Sequence, residues 1–172
     1  MKVITAPTYY EPYDNSISVF LAGGITNCPN WQDDVIDGLK DKDGDTLVIY
    51  NPRREHFDIT NMSASKQQIE WEFYMIEKCN IFSMYFASSE SDQPICMYEL
   101  GRNILRMQMR YPTDWQERII ISVEDGYKRK QDVLIQTELA TNNKVNINNC
   151  FSPENCLSNH ITNIYNTFKR FR

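Results

Sequence analysis

Short apolar runs alternate with amphipathic helical patterns along nearly the whole chain, and few architectures accept that rhythm. Ser18-Val-Phe-Leu-Ala22, Thr46-Leu-Val-Ile-Tyr50, Asn80-Ile-Phe-Ser-Met-Tyr-Phe86, Arg118-Ile-Ile-Ile-Ser-Val123 and Lys144-Val-Asn-Ile147 read as strands. The fourth run is apolar almost without break, as a strand buried on both faces requires. Helical spacing begins near Asn30, with Trp31, Val35 and Leu39 on one face. It returns from Gln67 to Lys78, with Ile69, Phe73 and Ile76 as the stripe, then from about Pro94 to Met109 and from Gln131 to Thr141. Ser152-Pro153-Glu154 opens a last helix, on which Leu157, Ile161, Ile164, Phe168 and Phe171 keep the spacing. Strands separated by helices build a parallel sheet. The expectation is one α/β domain over residues 1–172, flavodoxin-like and doubly wound, with a mainly parallel sheet of about five strands. Lys2 to Thr5 can add an edge strand.

Charge and cysteine usage remove several classes of function. The net charge is −5, from 18 Lys and Arg against 23 Asp and Glu, and the two signs are mixed throughout. No cationic face results, so duplex nucleic acid is not an expected partner. The five cysteines are odd in number and scattered, which fits a reducing compartment. With no signal-peptide core and no apolar run of membrane-spanning length, a cytoplasmic protein without membrane attachment is expected. Cys150, Cys156 and His160 lie together in sequence, but their spacing matches no common zinc pattern. Neither a metal nor a cofactor is expected. On the amphipathic last helix, His160 is expected at the surface. That helix either covers the sheet or crosses to another subunit.

The densest functional signal is Gln93-Pro-Ile-Cys-Met-Tyr-Glu-Leu-Gly-Arg-Asn103. Asp92 and Pro94 suit a helix start, which puts Glu99 in an early turn at the carboxyl edge of the sheet, where open α/β folds bind ligands. The helix dipole there favours an ionised carboxylate. Glu72 lies three residues after Ile69 and four before Ile76, so it projects from the apolar side of its own helix. Desolvation would raise its pKa, as a general acid near neutral pH requires; a structural ion pair with an arginine is the alternative. The turn at Gly23-Gly24 lets a ligand approach backbone amides but carries no Lys or Arg, and Asp33 and Asp34 follow it. Arg53 and Arg54, after Asn51-Pro52, either offset that repulsion or stand as solvated loop charges. With His56 the one other histidine and no Gly-x-Ser-x-Gly motif, covalent chemistry falls to a carboxylate.

In order and spacing these elements resemble the nucleoside 2-deoxyribosyltransferase superfamily, including its deoxynucleoside monophosphate N-glycosidase relatives. The likeness runs from about Val19 to Val123. It rests on Val19-Phe-Leu-Ala-Gly-Gly-Ile25, Trp31, Asn51-Pro52, Trp71-Glu72 and, most specifically, Tyr98-Glu99-Leu100-Gly101. The resemblance implies Glu99 as the nucleophile at the anomeric carbon and Glu72, in place of the usual Asp, as the residue that helps protonate the leaving base. It implies Gly23 and Gly24 as pocket-shaping and Gln93 at the sugar's 5′ group, where relatives carry Asp or Ser. Trp31, Asn51 and Trp71 complete the implied substrate-binding set. A small-molecule nucleoside or nucleotide partner, no cofactor and a homo-oligomer follow from the same likeness. The rivals are a glycohydrolase of a larger nucleotide such as NAD, a nucleotide-binding module without turnover, and a partner-binding protein on the same fold.

Overall fold

A computed structural model describes residues 1–12, 15–42, 46–58 and 60–172. Six strands form one sheet, all parallel, in the order β1-β3-β2-β4-β5-β6. They are β1 (Lys2–Thr5), β2 (Ile17–Gly23), β3 (Leu47–Asn51), β4 (Ile81–Phe86), β5 (Ile119–Glu124) and β6 (Ile147–Cys150). Counted from β2, five of them follow the flavodoxin-like order 2-1-3-4-5. The sixth is the N-terminal segment, which pairs with β3 and extends the sheet beyond five strands. β4 and β5 are buried at every position, which is why their sequences are apolar without alternation.

Helices cover both faces. α2 (Met62–Lys78), α3 (Pro94–Arg110) and α4 (Lys130–Thr141) pack on one, around Trp71, Met75, Leu100, Ile104 and Val133. α1 (Trp31–Leu39) and α5 (Pro153–Phe171) pack on the other, around Trp31, Val35, Leu39, Ile164 and Phe168. Strand order reverses between β2 and β4, so a crevice opens at their carboxyl ends. No helix among the described residues is long and apolar enough to cross a membrane.

Four sequence expectations about the fold need correction. α2 starts at Met62, not Gln67, because Asn61 caps it by accepting from the amides of Ser63 and Ala64. Its buried stripe is Gln68, Trp71, Met75 and Ile76, whereas Ile69 and Phe73 are 65% and 56% exposed. β6 lies three residues later than the apolar run at Lys144 to Ile147; Val145 is buried, but pairing with β5 begins at Ile147. His160 is fully buried rather than exposed. Its ring sits between two sheet serines, with Nε2 2.7 Å from Ser83 Oγ and Nδ1 2.8 Å from Ser122 Oγ. Burial pushes its pKa down to about 3, so the ring is neutral at physiological pH.

Candidate active site

The crevice is built from the β2–α1 turn upward. Gly23 has φ 152°, a conformation that favours glycine, and a Cβ there would lie 2.4 Å from the backbone oxygen of Tyr85 and 2.6 Å from Cζ2 of Trp31. The strand can therefore end beside β4 only with a bare Cα. Trp31 is wedged beneath, stacked on Tyr85 with ring centres 5.0 Å apart, and its Nε1 donates to Gly24 O at 3.2 Å. Arg53 fastens the same loop from above: Nε donates to Gln32 Oε1 at 2.8 Å and Nη2 to the carbonyls of Pro29, Gly24 and Cys28. Gly23→Ala is expected to destabilise the fold by about 3 kcal/mol. In a chain of this size that lowers the melting temperature by about 10 °C in a thermal scan; an unchanged melting temperature would contradict the steric reading.

The opposing wall is the loop from β4 into α3. Gln93, not Asp92, is the residue that precedes the helix, with Pro94 in its first turn. Gln93 adopts a left-handed conformation (φ 48°, ψ 51°) and is 4% exposed. Its Oε1 accepts from Gly24 N at 3.2 Å, and its Nε2 donates to Ala87 O at 2.8 Å and to Ser89 Oγ at 3.4 Å. The side chain thus clasps the two loops that flank the crevice. Glu124, buried on β5, steadies the same wall by accepting from Ser88 N and the Tyr85 hydroxyl, each at 2.6 Å.

Between the walls lies an open cavity of about 240 Å³. Phe20 and Ala22 of β2 and the Gly23–Thr26 turn form one side; Ser91, Gln93, Ile95 and Cys96 form the other. Glu72 from α2 and Glu99 from α3 both reach it. Of the residues singled out in the sequence, Glu72, Glu99, Gly23, Gly24 and Gln93 line this cavity, and Trp31, Asn51 and Trp71 do not. The two tryptophans are in the core, Trp71 with its Nε1 donating to Thr8 O at 2.8 Å, and Asn51 is buried while its Oδ1 accepts from Arg53 N. All three support the walls from behind. A further lining residue and a residue behind the wall had a signal in helical spacing. Cys96 stands one turn before Glu99, and Gln68, one turn before Glu72, donates to Glu72 Oε1 at 2.8 Å.

The electrostatics differ from the expected ionised Glu99. Its pKa is pushed up to about 8, first by burial and then by the neighbouring Glu72, with Arg102 opposing. Glu99 is the sixth residue of α3, beyond the first turn where the dipole acts, so desolvation outweighs it. Glu72 is also raised, by burial, against its bond from Gln68 and the nearby Arg54. Burial raises both carboxyls and Glu72 raises Glu99 further, so ionising the two together is disfavoured. The described residues contain no group of three or more His, Cys, Asp and Glu that could hold a metal. Such a pair can supply a carboxylate on one side of a bound molecule and an acid on the other.

A family model described as nucleoside 2-deoxyribosyltransferase like matches residues 16–111. The match runs from the start of β2 to the end of α3, which includes every residue that lines the cavity. No curated protein matches the chain.

Proposed function

Because the chain belongs to the nucleoside 2-deoxyribosyltransferase-like family, we propose that it cleaves the N-glycosidic bond of a 2′-deoxynucleoside, with Glu99 as nucleophile and Glu72 as the acid at the leaving base. The observation that carries this reading is the meeting of both carboxyls in one cavity at the point where strand order reverses. A Glu99 oxygen bonds to the anomeric carbon while the glycosidic electron pair leaves with the base, which takes its proton from Glu72. A second base or water then attacks the glycosyl ester, and configuration is retained overall. The chemistry needs one proton in the pair, and it must sit on Glu72 when attack begins. The upward shift of both carboxyls favours keeping that proton in the pocket.

A free nucleoside fits better than its 5′-monophosphate. Among the described residues no Lys or Arg lines the cavity, two carboxyls do, and the Arg53 guanidinium is occupied by carbonyls and Gln32. At about 240 Å³ the cavity is also below the ~300–1,000 Å³ of most ligand pockets, which favours one nucleoside over a larger dinucleotide. The test is incubation with a panel of deoxynucleosides and their 5′-monophosphates, with free base read by chromatography. Base release, faster from the nucleosides and abolished by Glu99→Ala with an unchanged circular dichroism spectrum, is the expected result. Binding without release, undisturbed by Glu99→Gln, would point to a nucleotide-binding module instead.

A further inference from the structure

One cation close enough to act on Glu72 does not line the cavity. Arg54 stands in the loop between β3 and α2, half-buried, with its guanidinium carbon 5.3 Å from the centre of the Phe57 ring. Its Nε and Nη2 are buried and meet no hydrogen-bond acceptor among the described residues. Arg53 next to it shows the contrast, since its donors are occupied by loop carbonyls. A desolvated guanidinium with free donors is unfavourable unless negative charge comes to it. The candidate is close at hand. Gln68 donates to Pro52 O at 2.7 Å and to Glu72 Oε1 at 2.8 Å, so one side chain ties the arginine's loop to the acid.

We propose that Arg54 is a positioning residue for proton delivery, whose unpartnered guanidinium takes up the negative charge that appears on Glu72 as its proton passes to the departing base. The proposal rests on the glycosidic reading above. In that step the carboxylate charge on Glu99 disappears into the new ester bond, the base leaves neutral with the proton, and an equal charge appears on Glu72. One negative charge therefore moves from the α3 side of the cavity to the α2 side, toward Arg54. The charges that face Glu72 are otherwise of the wrong sign or already engaged. Glu99 and the Cys96 thiol face it from α3. Arg102 acts on Glu99 and is paired with Glu77. β2 contributes only Phe20, Ala22 and the glycine turn. The guanidinium already draws the Glu72 pKa downward in the empty pocket, against the rise that burial causes.

Arg54→Met keeps the length and bulk of the side chain and removes the charge. Two substrates separate proton delivery from simple disruption: a deoxynucleoside whose neutral base must be protonated to leave, and a 7-methylpurine deoxynucleoside whose base is already cationic. The expected result is a roughly hundred-fold loss of kcat on the first and little change on the second. The alkaline limb of the pH profile on the first substrate moves up by about one pH unit or more. Equal losses on both substrates, or none on either, would overturn the proposal. Titration of 13C-labelled Glu carboxyls in the unliganded protein supplies a readout independent of turnover. There Arg54→Met raises the Glu72 midpoint, and an unmoved midpoint overturns the proposal. If the unmodified protein releases base from neither substrate, the glycosidic reading fails, while the titration still decides whether Arg54 governs Glu72.

Discussion

Glu99→Gln is expected to lower base release by roughly ten-thousand-fold or more while making the unliganded protein more stable above neutral pH. Both effects have one cause. The folded pocket holds the Glu99 carboxyl at about 8, against an ordinary value of 4.5. Between those values the native state keeps a proton that the unfolded chain has released. The stability contributed by that proton is complete below about pH 4.5 and is lost as pH rises through about 8, at about 1.4 kcal/mol per pH unit. Glutamine carries no charge at any pH, so the variant loses this slope along with the proposed nucleophile. Urea unfolding at pH 5 and pH 8 is the check: the two proteins lie close at the lower pH, and the gap widens by a few kcal/mol at the higher. Parallel behaviour at both pH values would mean that Glu99 is ionised in the empty pocket. Under the proposed reaction, stability and activity oppose each other, because the site desolvates the carboxyl that attack would need as an anion.

His160→Leu is expected to act on the other limb. Neutral in the fold, the imidazole has its pKa depressed to about 3, whereas the unfolded chain titrates near 6.5. The unfolded state therefore takes up a proton that the native state refuses. The stability tied to His160 is complete above about pH 6.5 and is lost as pH falls toward 3. Leucine abolishes that dependence, so acid unfolding should shift to lower pH. At pH 7 the same variant is weaker by about 2–4 kcal/mol, because the buried hydroxyls of Ser83 and Ser122 lose their shared partner. Ser122 retains a bond from Asn148 Nδ2 at 3.0 Å, which softens the loss on one side. Denaturant midpoints at pH 4.5 and 7 measure both terms, and a midpoint at pH 7 equal to that of the parent would dismiss the histidine as a structural element. The Glu99 and His160 slopes have opposite signs, so between about pH 4.5 and 6.5 these two contributions offset each other.

The parts of the fold that could be read from sequence are those where burial is extreme. β4 and β5 are covered on both faces, so their runs are apolar without ambiguity. α1 has one apolar stripe and one only. α2 offers two, Ile69 with Phe73 and Trp71 with Met75, and spacing alone does not choose between them. The sheet chooses the second, which carries Gln68 inward with it. Glu72 reaches the cavity even so, from the border of a face that the spacing did not pick out. His160 sits four residues from both Cys156 and Ile164, at the centre of the buried stripe of α5, but its polarity hid it. The available clue was on the other partner: Ser83 and Ser122 are hydroxyl residues flanked by apolar neighbours within buried strands. The resemblance put Gln93 at the pocket, but its clasp of the two loops could not be read, because the inward turn depends on a left-handed backbone that local sequence does not announce.

With Gly24 and Ala87 fastened to the same amide, the lips of the crevice cannot part or approach without breaking Gln93's bonds. The mouth is consequently set before any visitor arrives, as in a lock already cut. A visitor therefore meets a rim already tied together, and widening it further costs the two bonds that Gln93 makes there.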